Sequence, residues 1–140
     1  MNATQEVKRL PAILQPPVLK IDTEAERRYG SRVSPNGRLE RRLVWNLLHH
    51  LMLNGWQADA ILNEDTGHWM LCVTPEAFME LAFNYEEPLV RVRRMGQPGY
   101  RPHRIKLIDG NGIDMISDHT LRDTDNFGAV MDAFDSEAMA

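Results

Sequence analysis

Six basic side chains crowd into residues 89–106, LVRVRRMGQPGYRPHRIK, with no acid among them. They are Arg91, Arg93, Arg94, Arg101, Arg104 and Lys106. Guanidinium groups fork onto phosphates or carboxylates in two-point contacts, and Tyr100 offers a ring on which a base could stack. A two-stranded ribbon of this kind also fits a major groove. Three readings follow: a solvated sheet face whose arginines pair with the chain's own acids, an acidic protein surface as partner, or a nucleic acid. A second cluster, Arg41 with Trp45 and His49, is spaced one helical turn apart. Trp and Arg are enriched among binding hot spots, so it reads either as a partner anchor or as a site covered by the N-terminal arm.

Other chemistry is sparse. His49 and His50 are adjacent on a helical pattern, so they diverge by about 100° and cannot share a metal ion. His68, His103 and His119 are scattered, and Cys72 has no neighbouring ligand. The Asp109–Asp114 run, DGNGID, has calcium-loop composition, but Ile113 stands at a ligand position and the distal glutamate is missing. A hairpin turn is the expectation. No phosphate-cradling glycine loop, HExxH or GxSxG motif occurs, and Ser117, Asp118 and His119 are consecutive, which is not how a triad is built. Neither catalysis, a cofactor nor a metal is expected.

The bulk numbers suit one domain. A chain of 140 residues with 43% apolar and 26% charged residues can bury a single core without staples. One cysteine excludes an internal disulfide framework, no apolar run approaches a membrane span, and the expectation is a soluble, cytoplasmic protein. The net charge of −4 conceals blocks. Residues 27–42 and 89–106 are strongly basic, while 43–88 contain no Lys or Arg and 107–140 only Arg122. Such blocks either make separate faces or neutralise each other when folded.

The elements that must carry these residues can be read from periodicity. Residues 1–22, with Pro11, Pro16 and Pro17, form an extended arm ahead of a domain spanning 23–140. A short helix is expected over 23–33. The longest helix runs from Ser34 to Asn54, opened by Ser34 and Pro35 and stopped by Gly55. Leu43, Val44, Leu47, Leu48 and Leu51 lie on one face, with Arg38, Arg42, Asn46 and His49 opposite. Trp56 to Asn63 alternates, with Trp56, Ala58, Ala60 and Leu62 on one side. A Glu64–Gly67 turn returns His68 to Val73, whose Trp69, Leu71 and Val73 share a side. Thr74-Pro75 opens a helix to about Asn84. Strands follow at Leu89–Met95, Arg104–Ile108 and Ile113–Ser117, and a last helix at Thr124–Ser136. The expected fold is α+β, order α-β-β-α-β-β-β-α, with helices on a largely antiparallel sheet of about five strands.

The run Gly-Asn-Gly-Ile-Asp-Met-Ile-Ser-Asp at 110–118 resembles the ends of small accessory proteins of bacterial phages and plasmids. That resemblance implies a mobile-element protein that acts by binding a host defence or regulatory complex; it transfers no site residues. The leading expectation is therefore a non-catalytic protein-binding protein. Nucleic-acid binding through 89–106 is the alternative, and a small acidic, homodimeric chaperone or assembly factor is a third.

Overall fold

The computed structural model describes residues 6–20, 22, 23, 27 and 35–139. Of the helix expected over 23–33 only Thr23 and Arg27 are among them, both helical, and the rest of it and the Ser34 cap lie outside the described residues. Helix α1 spans Pro35–Leu53 and buries Leu43, Val44, Leu47, Leu48 and Leu51. It stops where Gly55 takes a φ of 86°, a left-handed conformation that costs a side-chain-free residue little. Strands β1 (Trp56–Asn63) and β2 (His68–Leu71) form the first hairpin. Helix α2 (Pro75–Ala82) begins at Thr74, whose hydroxyl accepts from the Ala77 N–H, and it buries Phe78, Met79 and Ala82. Strands β3 (Leu89–Arg94), β4 (His103–Leu107) and β5 (Ile116–His119) follow, and α3 (Phe127–Ala133) ends the domain.

The five strands form one antiparallel sheet in the order β2-β1-β3-β4-β5. The fold is α+β, in the element order that the periodicities give. Strand side chains alternate between faces. Val90 and Val92 of β3 therefore join Ile105 and Leu107 of β4 in one core with Leu47, Leu48, Leu51 and Phe78. The described helices cover this face alone.

Three expectations need correction, each for a packing reason. The alternation in β1 breaks at a bulge between Ala58 and Ala60, so Trp56, Ala58 and Ile61 join the core cluster under the helices, while Ala60, though fully buried, and Leu62 do not. The extra residue is Asp59, and the bulge re-aims it. Ile113 to Ser117 is not a continuous strand. Gly112–Asp114 forms a 3-10 turn first, and β5 starts at Ile116. Helix α3 is shorter than expected because Asp125 and Asn126 are diverted. Asp125 accepts from the Phe127 N–H at 2.9 Å, and Asn126 accepts from the Trp56 indole N–H at 3.0 Å.

The polar side of α1 is largely covered by the arm, as in the reading that lays the arm over Trp45, although Arg38 stays exposed. Asn46 is fully buried and brackets Leu14 of the arm, accepting its N–H at 2.8 Å and donating to its carbonyl at 2.9 Å. Asn54, two turns on, does the same for Lys8, at 2.7 and 2.9 Å. Two amides on one helix side thus replace a neighbouring strand for the arm. The described part of the arm docks on its own domain, and Leu19 is buried there.

Candidate binding face on the open side of the sheet

The face of the sheet away from the helices is built around Trp69 of β2. Register places Arg91 of β3 directly opposite Arg104 of β4, a like-charge pair that would repel if left bare. Two devices relieve it. The bulged Asp59 accepts from Arg91 Nε at 2.9 Å and Nη2 at 3.2 Å, and from Arg93 Nε at 3.1 Å. The indole of Trp69 lies against both cations, its centre 5.5 Å from the Arg91 guanidinium carbon and 5.6 Å from that of Arg104. Ala60, the smallest side chain on this face, stands between Leu71 and Arg91 in register. A larger residue there would occupy the path by which Trp69 reaches across β1.

The remaining positions on this side are Gln57, Leu62, Leu71, Leu89, Lys106 and Asp118. Arg104 and Lys106 are exposed, and Leu71 is 70% exposed, with Val73 beyond it at 78%. Lys106 stands across from Asp118 of β5 in register. The chemistry on offer is an apolar and aromatic strip flanked by two solvent-facing cations, with two further cations already matched to one carboxylate.

The other predicted residues go elsewhere. Arg94 points to the helix side, its guanidinium carbon 5.7 Å from the Trp56 ring centre and 5.0 Å from that of Tyr100. Tyr100 is half-buried and held from several sides: Arg94 lies over its ring, the ring meets Trp56 edge-on and its hydroxyl donates to Asp125 at 2.6 Å. Arg101 is exposed in the loop, and its carbonyl accepts from Arg122. Arg41 reaches Asp22 at 2.6 Å, donates to the Gly37 carbonyl and lies over Phe83 at 4.4 Å. Trp45 is 8% exposed and belongs to the core, its ring 4.5 Å from that of His49, so it is a packing residue and not a surface anchor. Arg41 and Trp45 therefore sit on the helix side of the sheet and do not share a surface with Arg91, Arg93, Arg104 and Lys106.

A second polar cluster is one that sequence reasoning missed. His103 is fully buried, stacked on Phe127 with ring centres 4.1 Å apart, and its Nε2 bonds to Asp125 at 2.8 Å. Burial pulls the His103 imidazole below its ordinary value of 6.5 despite the neighbouring carboxylate, so a neutral ring donates its Nε2 proton. Burial pushes the Asp125 carboxyl up, but hydrogen bonds from Tyr100, Phe127 and His103 outweigh that and hold it below 3.8. The same hydrogen bond raises the Tyr100 hydroxyl above 10.0. His103 Nδ1 has no hydrogen-bond partner among the described residues. The pair ties the loop 95–102 to the start of α3. The sequence signal was faint, a tyrosine and a histidine in a basic loop with an Asp-Asn ahead of a helix.

Among the described residues no cluster of three potential metal ligands occurs, and no helix is long and apolar enough to cross a membrane. Compared with protein-family models, curated proteins and solved structures, the chain matches none.

Proposed function

We propose that this chain is a non-catalytic protein-binding module whose partner docks on the open face of the sheet, through an apolar contact ringed by acidic groups. The observation that carries this reading is the Trp69 strip itself. Leu62, Trp69 and Leu71 share with Arg104 and Lys106 a face that no described helix covers. Trp and Arg in such a setting supply most of the energy at protein interfaces, and rim cations select an acidic partner. Because Arg91 and Arg93 share Asp59 and Arg94 faces the other way, few uncompensated cations remain to track a phosphate backbone. Polyanion affinity rises with each neutralised phosphate, so this count favours a protein over a nucleic acid. A mobile-element accessory role against a host complex is one setting in which such a module would work. The 110–118 segment that suggests it is occupied in holding a turn against α1, so the partner is argued from the sheet face instead.

The double variant Arg104→Glu, Lys106→Glu tests the reading, since both residues are exposed. Partner affinity is expected to fall by about tenfold or more, roughly 1.4 kcal/mol, with the thermal midpoint unchanged. The assay is capture from a bacterial lysate with the wild type and the variant, each with and without nuclease. Retention that disappears on nuclease treatment would transfer the face to a nucleic acid, and equal capture by the variant would remove it as the interface.

A further inference from the structure

The sheet has two free edges, β2 and β5, and their chemistry differs. The backbone N–H of Cys72 donates to the Asp59 carbonyl at 2.8 Å. Backbone groups alternate along a strand, so the N–H and C=O of Leu71 and Trp69 turn away from β1, and no described strand pairs there. Residues 67–73, Gly-His-Trp-Met-Leu-Cys-Val, contain no Asp, Glu, Lys, Arg or Pro. Charges and prolines are what ordinarily keep an edge strand unpaired, and this edge has none of them. The β5 edge carries Asp118 and closes with Thr120, which donates its N–H to the Arg104 carbonyl at 2.9 Å.

We propose that the protein self-associates through β2, two copies pairing this strand antiparallel about a two-fold axis to make one continuous sheet. A two-fold interface sets each residue against the same surface patch of its copy, so a self-pairing edge must tolerate its own kind. Trp69, Leu71 and Val73 on one side and Met70 and Cys72 on the other satisfy that condition. Asp118 on β5 would instead be brought towards its own copy. Pairing through β2 also covers Leu71 and Val73, which are 70% and 78% exposed in the single chain.

The basic face does not oppose this arrangement. Strands lie about 4.8 Å apart, so β4 is roughly 14 Å from β2. Arg104 in one copy is then on the order of 30 Å from Arg104 in the other, well beyond the roughly 8 Å over which salt leaves charges interacting. The two open faces would lie side by side, presenting the Trp69 strip twice. This inference shares Trp69 and Leu71 with the docking face proposed above, but the two fail separately, since charge reversal at Arg104 and Lys106 leaves the β2 edge intact.

The test is the oligomeric state of the full chain by sedimentation equilibrium over a wide concentration range, with circular dichroism as the folding control. The wild type is expected as a dimer, and Leu71→Lys is expected to weaken it by about tenfold or more. Leu71→Pro removes a donor that points away from β1, a placement where edge strands accept proline, and is expected to do the same. Should either variant fail to fold, Val73→Lys, beyond the last paired residue, carries the same expectation. Asp118→Lys should leave the dimer intact. A wild type that stays monomeric at the highest concentration would overturn the proposal. So would a dimer insensitive to the folded β2-edge variants, or one lost only on changing Asp118.

Discussion

Asp125→Ala is expected to lower the unfolding free energy by about 3–5 kcal/mol, as expected when several neutral donors lose one charged acceptor at once. The carboxylate accepts from the Tyr100 hydroxyl, from His103 Nε2 and from the Phe127 N–H, at 2.6, 2.8 and 2.9 Å. Alanine would leave all three donors facing a dry pocket, and each buried unmade hydrogen bond costs about 1–3 kcal/mol. Equilibrium urea unfolding measures it; a loss below 1 kcal/mol would mean that water replaces the carboxylate, and that the loop 95–102 is held by other contacts.

The same cluster sets a pH dependence. Burial lowers His103 below 6.5, and burial lowers His50 too, although the Val130 carbonyl at 2.7 Å opposes it. A base whose folded pKa is depressed takes up protons more readily when unfolded. Its stability contribution is therefore present above 6.5 and drains away as pH falls from 6.5 through the folded value. The depressed Asp125 acts in the same sense at lower pH, its contribution being lost as pH falls below 3.8 through the folded value. Unfolding free energy should decline as pH drops from about 7.5 to 5.5 at constant ionic strength. A profile that stays level, or rises, across that window would contradict the buried, neutral assignment of both imidazoles.

Glu40→Ala is expected to cost about 2–4 kcal/mol, because it strips the acceptor from an entire turn. Glu40 is 2% exposed on α1, and its carboxylate accepts from the Gly110 N–H at 2.7 Å, with the Asn111 and Gly112 N–H groups also directed at it. Asn36, one turn earlier, donates to the Gly110 carbonyl, and a Cβ on Gly112 would lie 2.6 Å from its side-chain oxygen. Gly112 also has a φ of 61°, so two constraints fix glycine there. Burial, with help from Asp109, raises the Glu40 carboxyl above 4.5. A carboxyl with a raised folded pKa stabilises fully below 4.5 and loses that contribution as pH rises through the folded value. Glu40→Gln, neutral at every pH and still an acceptor, should therefore lose far less than Glu40→Ala near neutrality. Equal losses from the two variants in thermal unfolding would show that the site needs charge rather than an acceptor.

Much of this protein was legible along the chain. Alternating Val90 and Val92 against Arg91 and Arg93 named the two sides of β3. The Leu43–Leu51 stripe named the core face of α1, and Gly55 named its end. These follow from periodicities of 2 and 3.6 that hold whatever the neighbours are. The DGNG turn was legible as a turn, but its role in seating on Glu40 was not, because that bond joins positions 70 residues apart.

What the linear pattern could not supply was which side of each periodic element would be covered. The basic stretch 89–106 reads as one block, but strand pairing and a single bulge divide it. Asp59 takes up Arg91 and Arg93, Trp69 separates Arg91 from Arg104, and Arg94 leaves for the opposite side. Likewise the sequence leaves open what covers the polar side of α1, and the arm closes over part of it through Asn46 and Asn54. Local sequence fixed the elements, their order and their two-sidedness, since those depend on backbone sterics and side-chain spacing. Only the tertiary structure decided which cations remain free and which aromatics are buried, because a charge or an indole is defined by the partners that folding brings within a few ångströms.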